Sequence, residues 1–85
     1  MLQNKKLIGR VEHFYPHPSV AVIKLEDTLK VGDRILIERP NQSFEQVVTS
    51  MQIEHKLIQV GEKGDDIGLK VDQSTKEGAK VYRVS

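Results

Sequence analysis

Apolar residues along this chain recur mostly at every second position, in short runs separated by turn-forming residues, and no run sustains a helical period. Leu7–Tyr15 reads as a first strand, with Leu7, Val11 and Tyr15 on one parity and Ile8 and Phe14 on the other. Pro16 and Pro18 forbid a regular ladder, so Pro16–Ser19 is a connection. Val20–Leu25 is a β-branched run short enough to be a strand buried on both faces. Glu26–Asp33 forms a turn region with Gly32 at the left-handed position, and Arg34–Arg39 alternates, with Ile35 and Ile37 pointing one way.

Pro40–Ser43 has turn chemistry at each position. Phe44–His55 is the longest strand candidate, with Val47, Thr49, Met51 and Ile53 on one parity, and Lys56–Glu62 has no clear period. In Gly61–Val71, Gly64-Asp65 supplies a tight turn, and Ile67, Leu69 and Val71 share a strand face. Gly68 leaves one position of that strand without a side chain, the mark of a corner, a bulge or a close backbone approach. Asp72–Ala79 is polar and turns near Gly78, and Lys80–Val84 is a last strand.

This pattern predicts an all-β fold, a small closed antiparallel β-barrel of about six or seven strands. Closure is expected because so short a sheet would otherwise expose two long edges. Eighty-five residues make a single domain, 1–85, with its core over about 7–84.

Composition narrows the function classes. Thirteen basic against twelve acidic side chains leave the molecule nearly neutral, which argues against a strongly electrostatic nucleic-acid binder but leaves room for a local basic patch. Lys5, Lys6 and Arg10 at one end and Lys76, Lys80 and Arg83 at the other would merge into such a patch if the terminal strands pair. The absence of cysteine removes disulfides and thiolate metal sites. No apolar run resembles a signal peptide or a membrane span, so the expectation is a cytoplasmic protein with no membrane partner.

Four pieces in order carry a family resemblance. They are Val20-Ala21-Val22-Ile23-Lys24-Leu25, Leu29-Lys30-Val31-Gly32-Asp33-Arg34-Ile35, Ser50-Met51-Gln52-Ile53-Glu54-His55, and Gly64-Asp65-Asp66-Ile67-Gly68-Leu69-Lys70-Val71 with Gly78 following. Their order and spacing resemble domain II of the translational GTPases, the β-barrel of elongation factor Tu. Phe44-Glu45-Gln46, Met51–Lys56 and Gly68–Val71 are also similar to the small barrel appended to collagenase-like peptidases. The resemblance implies a translation-protein domain II-like barrel, in which Gly64-Asp65 and Gly68 serve as backbone devices for closure. The glycines never form a phosphate-cradling loop, so neither GTP binding nor any other cofactor is expected.

Candidate chemistry is sparse. His13, His17 and His55 lack the spacing of a zinc site, although a hairpin could bring His13 and His17 near Glu12. The hydroxyls sit in no nucleophile motif, so the chain is not expected to be an enzyme. Asp65-Asp66 fits a turn-capping Asp65 better than an acid pair, because adjacent strand residues face opposite ways. Phe14 and Tyr15, beside Arg10, His13 and His17, form the candidate contact surface. An outward aromatic with nearby cations can stack an unpaired base, while the inward one of the pair joins the core.

The leading expectation is therefore a non-catalytic binding module contacting RNA, the ribosome or a translation-related protein. The alternative is a protein–protein adaptor that docks onto a separate catalytic partner such as a collagenase-like peptidase.

Overall fold

The computed structural model describes residues 4–85, so Met1–Gln3 of the expected domain lie outside it. The described residues form ten strands and no helix: β1 Lys5–Tyr15, β2 Val20–Leu25, β3 Leu29–Lys30, β4 Arg34–Arg39, β5 Gln42–Val47, β6 Met51–Ile53, β7 Lys56–Ile58, β8 Val60–Gly61, β9 Asp66–Lys70 and β10 Lys80–Val84. Eight of them make one antiparallel sheet in the order β5-β4-β10-β1-β2-β9-β6-β7, and β3 pairs with β8. The ladder is open, ending at β5 and β7. All-β is what the structure shows; the closed barrel of six or seven strands is not what the hydrogen bonding gives.

Alternation dictates the core. Ile8, Val11, Ala21, Ile23, Leu25, Ile35, Ile37, Ile67, Leu69 and Val81 point to one side and pack with Leu29, Val48, Met51, Val71 and Ala79 in a single hydrophobic cluster. Two irregularities in β1, between Leu7 and Gly9 and between Val11 and His13, shift its register against its neighbours. The first brings Gly9 so close to β2 that a Cβ there would meet the Lys24 carbonyl oxygen at 2.6 Å. Of the corner, bulge or close backbone approach expected at Gly68, the bulge and the close approach occur at Gly9 instead. Gly68 itself lies in regular register between Val22 and Gln52.

Phe44–His55 is not one strand. Phe44, Gln46 and Val48 point inward, the chain leaves the ladder over Val48–Ser50, and Met51 then points inward from the other parity. Val47 and Met51, expected on one parity of a single strand, do not share a face: Val47 is exposed and Met51 is buried. Lys56–Glu62, which shows no period in sequence, supplies the short strands β7 and β8. The β6–β7 hairpin turns through Glu54 and His55, both at positive φ (49° and 68°), a backbone that asparagine and glycine usually occupy.

Two connections share one device. Asp33 N–H donates to the Lys30 carbonyl while Lys30 N–H donates back to Asp33 Oδ2 at 3.0 Å, and Glu62–Asp65 repeats both bonds. Gly32 and Gly64 carry the positive φ within them, and Asp65 takes the turn-capping role expected for it.

Candidate docking surface

The five residues singled out from sequence lie on or just beyond β1. Phe14 packs partly against the core, and Tyr15 points outward at 49% exposure. His13 stands edge-on to Tyr15, with ring centroids 4.2 Å apart, and its Nδ1 lies 3.5 Å from Glu77. Arg10 faces Glu26 at 3.9 Å, and His17 is exposed in the turn after β1. His13, Tyr15 and their cross-strand partners form a common outer surface, whereas Phe14 leaves it and Arg10 is engaged by its acidic neighbour. The approach of the histidines to Glu12 takes another form: His13 meets Glu77, and Glu12 meets Asp66. Among the described residues, no three His, Asp or Glu side chains gather as a metal-binding set.

Strand register builds the surface around Tyr15. One row crosses five strands as His13, Val22, Gly68, Gln52 and Leu57; a parallel row runs Tyr15, Val20 and Lys70. Gly68 leaves the middle of the first row low, and a groove of about 310 Å³ opens there, lined by Tyr15, Val20, Val22, Gln52, Glu54, His55, Asp66 and Gly68 among others. At the far end of the row, Leu57 is 78% exposed on the terminal strand β7. An exposed Tyr and an exposed Leu on one sheet face, with two half-buried valines between them, are the composition of a contact surface.

The polar groups at this face are mainly acidic. Glu54 and Asp66 line the groove, and no lysine or arginine does. The Glu12 carboxyl lies against that of Asp66; this contact, with partial desolvation and charge repulsion, pushes Glu12 above its ordinary value, and Lys24 offsets part of the shift. Lys24 sits 3.8 Å from Asp66, and Lys70 is tied by its Nζ to the Pro18 carbonyl at 2.7 Å.

The expected basic patch is dispersed. The terminal strands do pair, with Lys6 opposite Arg83 and Arg10 opposite Lys80. Yet Lys5 meets Glu38, Lys6 and Arg83 share Asp27, and Arg10 meets Glu26. A larger depression of about 720 Å³ beside the Pro40-Asn41 turn mixes Glu38 with Arg39 and Lys80 and has no aromatic lining.

Known proteins place this architecture. The chain superimposes on the C-terminal domain of a Geobacillus thermoleovorans protein assigned to the U32 peptidases with a TM-score of 0.86, at 17% identity, covering 94% of this chain and 92% of that one. A selenomethionine variant of the same domain gives 0.87 at 16% identity, over 92% and 99% of the two chains. The fold is that of a U32 peptidase C-terminal domain. In sequence, the chain is 46% identical over 76 residues to an uncharacterized protease of Methanocaldococcus jannaschii, a match covering 88% of this chain. The chain spans only 19% of that curated relative. No protein-family model matches. The U32 C-terminal fold agrees with the resemblance to the domain appended to collagenase-like peptidases. The resemblance to domain II of elongation factor Tu, and with it a translation role, gains no support from these relatives.

The sequence pointed to Tyr15 and His13 but not to Val22, Gln52, Glu54, Asp66 or Leu57 as their neighbours. Gly68 was the available signal. Its missing side chain lowers the outer face and does not close a barrel.

Proposed function

We propose that this chain is a non-catalytic docking module that works with a U32-type peptidase partner. The observation carrying this reading is the 46% identity to a segment that makes up only 19% of a larger protease. A module that recurs as a minor part of a protease, on the fold of a peptidase C-terminal domain, fits an accessory role beside a separate catalytic part. The face bearing Tyr15 and Leu57 supplies a surface for that contact, since exposed aromatic and aliphatic anchors on a rigid sheet suit protein recognition.

Protein is the better class of partner for this face than RNA. Glu12, Glu54 and Asp66 around the groove repel phosphates, and most cations of the terminal strands are already engaged with carboxylates.

The test uses the M. jannaschii protease trimmed of the segment that this chain matches. After nuclease treatment, the trimmed protease and this protein are mixed and resolved by size-exclusion chromatography with light scattering. A discrete complex is expected. Separate elution, together with retention of RNA by this protein when nuclease is omitted, would transfer the reading to a nucleic-acid partner.

A further inference from the structure

The groove on the Tyr15 face has a floor without a side chain, apolar walls, and Glu54, Asp66, His55 and Gln52 as its polar lining groups. At Gly68 a Cβ would come within 3.3 Å of Gln52 Cγ and 3.4 Å of Val20 Cγ1, so even a methyl group would fill the low point. The row from His13 to Leu57 crosses five strands. At the ordinary spacing of neighbouring strands it spans roughly 19 Å, enough for about six residues of extended chain.

We infer that this groove takes an extended segment of the docking partner that carries arginine or lysine between aliphatic residues. The aliphatic side chains lie over Val20, Val22 and Gly68, and the cation reaches Asp66 and Glu54. The inference rests on the docking reading and adds the chemistry of the segment recognised.

Charge complementarity selects this occupant. Glu54 and Asp66 line the groove with His55, and a third carboxylate, Glu12, lies against Asp66, which faces Lys24 at 3.8 Å. The nearby Lys70 is held toward the Pro18 carbonyl. An incoming cation relieves the carboxylate repulsion, whereas an acidic segment or a phosphate chain adds to it. Tyr15 can also offer a ring face to a guanidinium.

The probe is a fluorescently labelled hexapeptide, Val-Arg-Val-Arg-Val-Gly, titrated with the whole protein and followed by anisotropy. Two control peptides replace both arginines by glutamine or by glutamate. The arginine peptide is expected to bind more tightly than the glutamine peptide and to weaken with added salt, and the glutamate peptide is expected not to bind. The double variant Glu54→Gln, Asp66→Asn should lose about tenfold in affinity for the arginine peptide, the range expected for two exposed ion pairs. Both substitutions are at exposed positions, and a thermal melt confirms folding. Leu57→Ser should weaken the arginine and glutamine peptides alike.

Equal affinity for the arginine and glutamine peptides, preference for glutamate, or no binding by any peptide would overturn the inference. If the trimmed protease still forms its complex in that case, the docking reading stands without this occupant. If the arginine peptide binds but no protease complex forms, the groove's chemistry is upheld and the peptidase partner is lost.

Discussion

The side chain of Gln46 holds the backbone at Asp72 as a neighbouring strand would. Its Oε1 accepts from the Asp72 N–H at 2.8 Å, and its Nε2 donates to the Lys70 carbonyl at 2.9 Å. Gln46 is 5% exposed, and these two bonds join β5, one end of the open sheet, to the chain leaving β9. A buried amide that mimics a peptide unit ties together the region where the ladder does not close.

Gln46→Leu should therefore destabilise the protein more than its volume change suggests. It leaves the Asp72 N–H and the Lys70 carbonyl without partners, at about 1–3 kcal/mol for each group that water cannot reach. Urea denaturation followed by circular dichroism checks this. A shift in midpoint no larger than that of an exposed control such as Gln73→Leu would contradict the role assigned to Gln46.

Gly9→Ala should cost about 1–3 kcal/mol, typical of overpacking, because the new methyl group would meet the Lys24 carbonyl oxygen at 2.6 Å and Ile23 Cγ2 at 2.9 Å. Backbone cannot yield as a flexible side chain can. Gly68→Ala, whose nearest neighbours are side-chain atoms, should cost less in the same denaturation assay.

Asp27 couples the N-terminal strand, the β2–β3 connection and β10. It meets Lys6 at 2.7 Å and Arg83 at 3.3 Å, and its Oδ1 accepts from the Thr28 N–H at 2.8 Å. The hydrogen bond from Lys6, then that from the Thr28 N–H, and the charges of Lys6 and Arg83 hold its pKa at about 2, below the ordinary aspartate value. A lowered carboxylate stabilises the fold above its unfolded value of roughly 3.9, and that contribution disappears as pH falls toward 2. Melting temperature measured from pH 5 to pH 2 should fall less steeply in Asp27→Asn than in the parent. Glu12, shifted upward, works in the opposite sense, since protonation relieves its repulsion by Asp66.

The β6–β7 turn is built from residues poorly suited to it. Glu54→Asn with His55→Gly installs the pair that positive φ favours and should raise stability by roughly 0.5–2 kcal/mol, the usual yield of correcting such a site. Unchanged or lower stability would show that Glu54 and His55 make compensating contacts in the groove.

Much of the fold was legible because period-two alternation is a local property. β2, β4 and β10 fall on the expected ranges Val20–Leu25, Arg34–Arg39 and Lys80–Val84. But β2 is not buried on both faces as expected: Ala21, Ile23 and Leu25 are buried, while Val20 and Val22 are half-buried on the outer face and Lys24 is exposed. The reading failed where alternation breaks without a glycine or proline to announce it. Between Val48 and Ser50 the inward parity changes, and at Glu54-His55 the chain reverses on residues with no turn signature. The candidate surface was half legible. Alternation separates Phe14 from Tyr15, but Val22, Gly68, Gln52 and Leu57 join them only through the register of strands far apart in sequence. Closure could not be read from strand count, because a side chain, Gln46, does at one junction what strand pairing was expected to do.

We propose that docking runs through the Tyr15 face. Its most direct test is calorimetric titration of the trimmed M. jannaschii protease with this protein and with its Tyr15→Ala variant. Saturable binding by the parent is expected, with a loss of at least about 2 kcal/mol in the variant, the scale of an interface anchor, and an unchanged melting temperature. Equal affinity of the two proteins would contradict the assignment of this face.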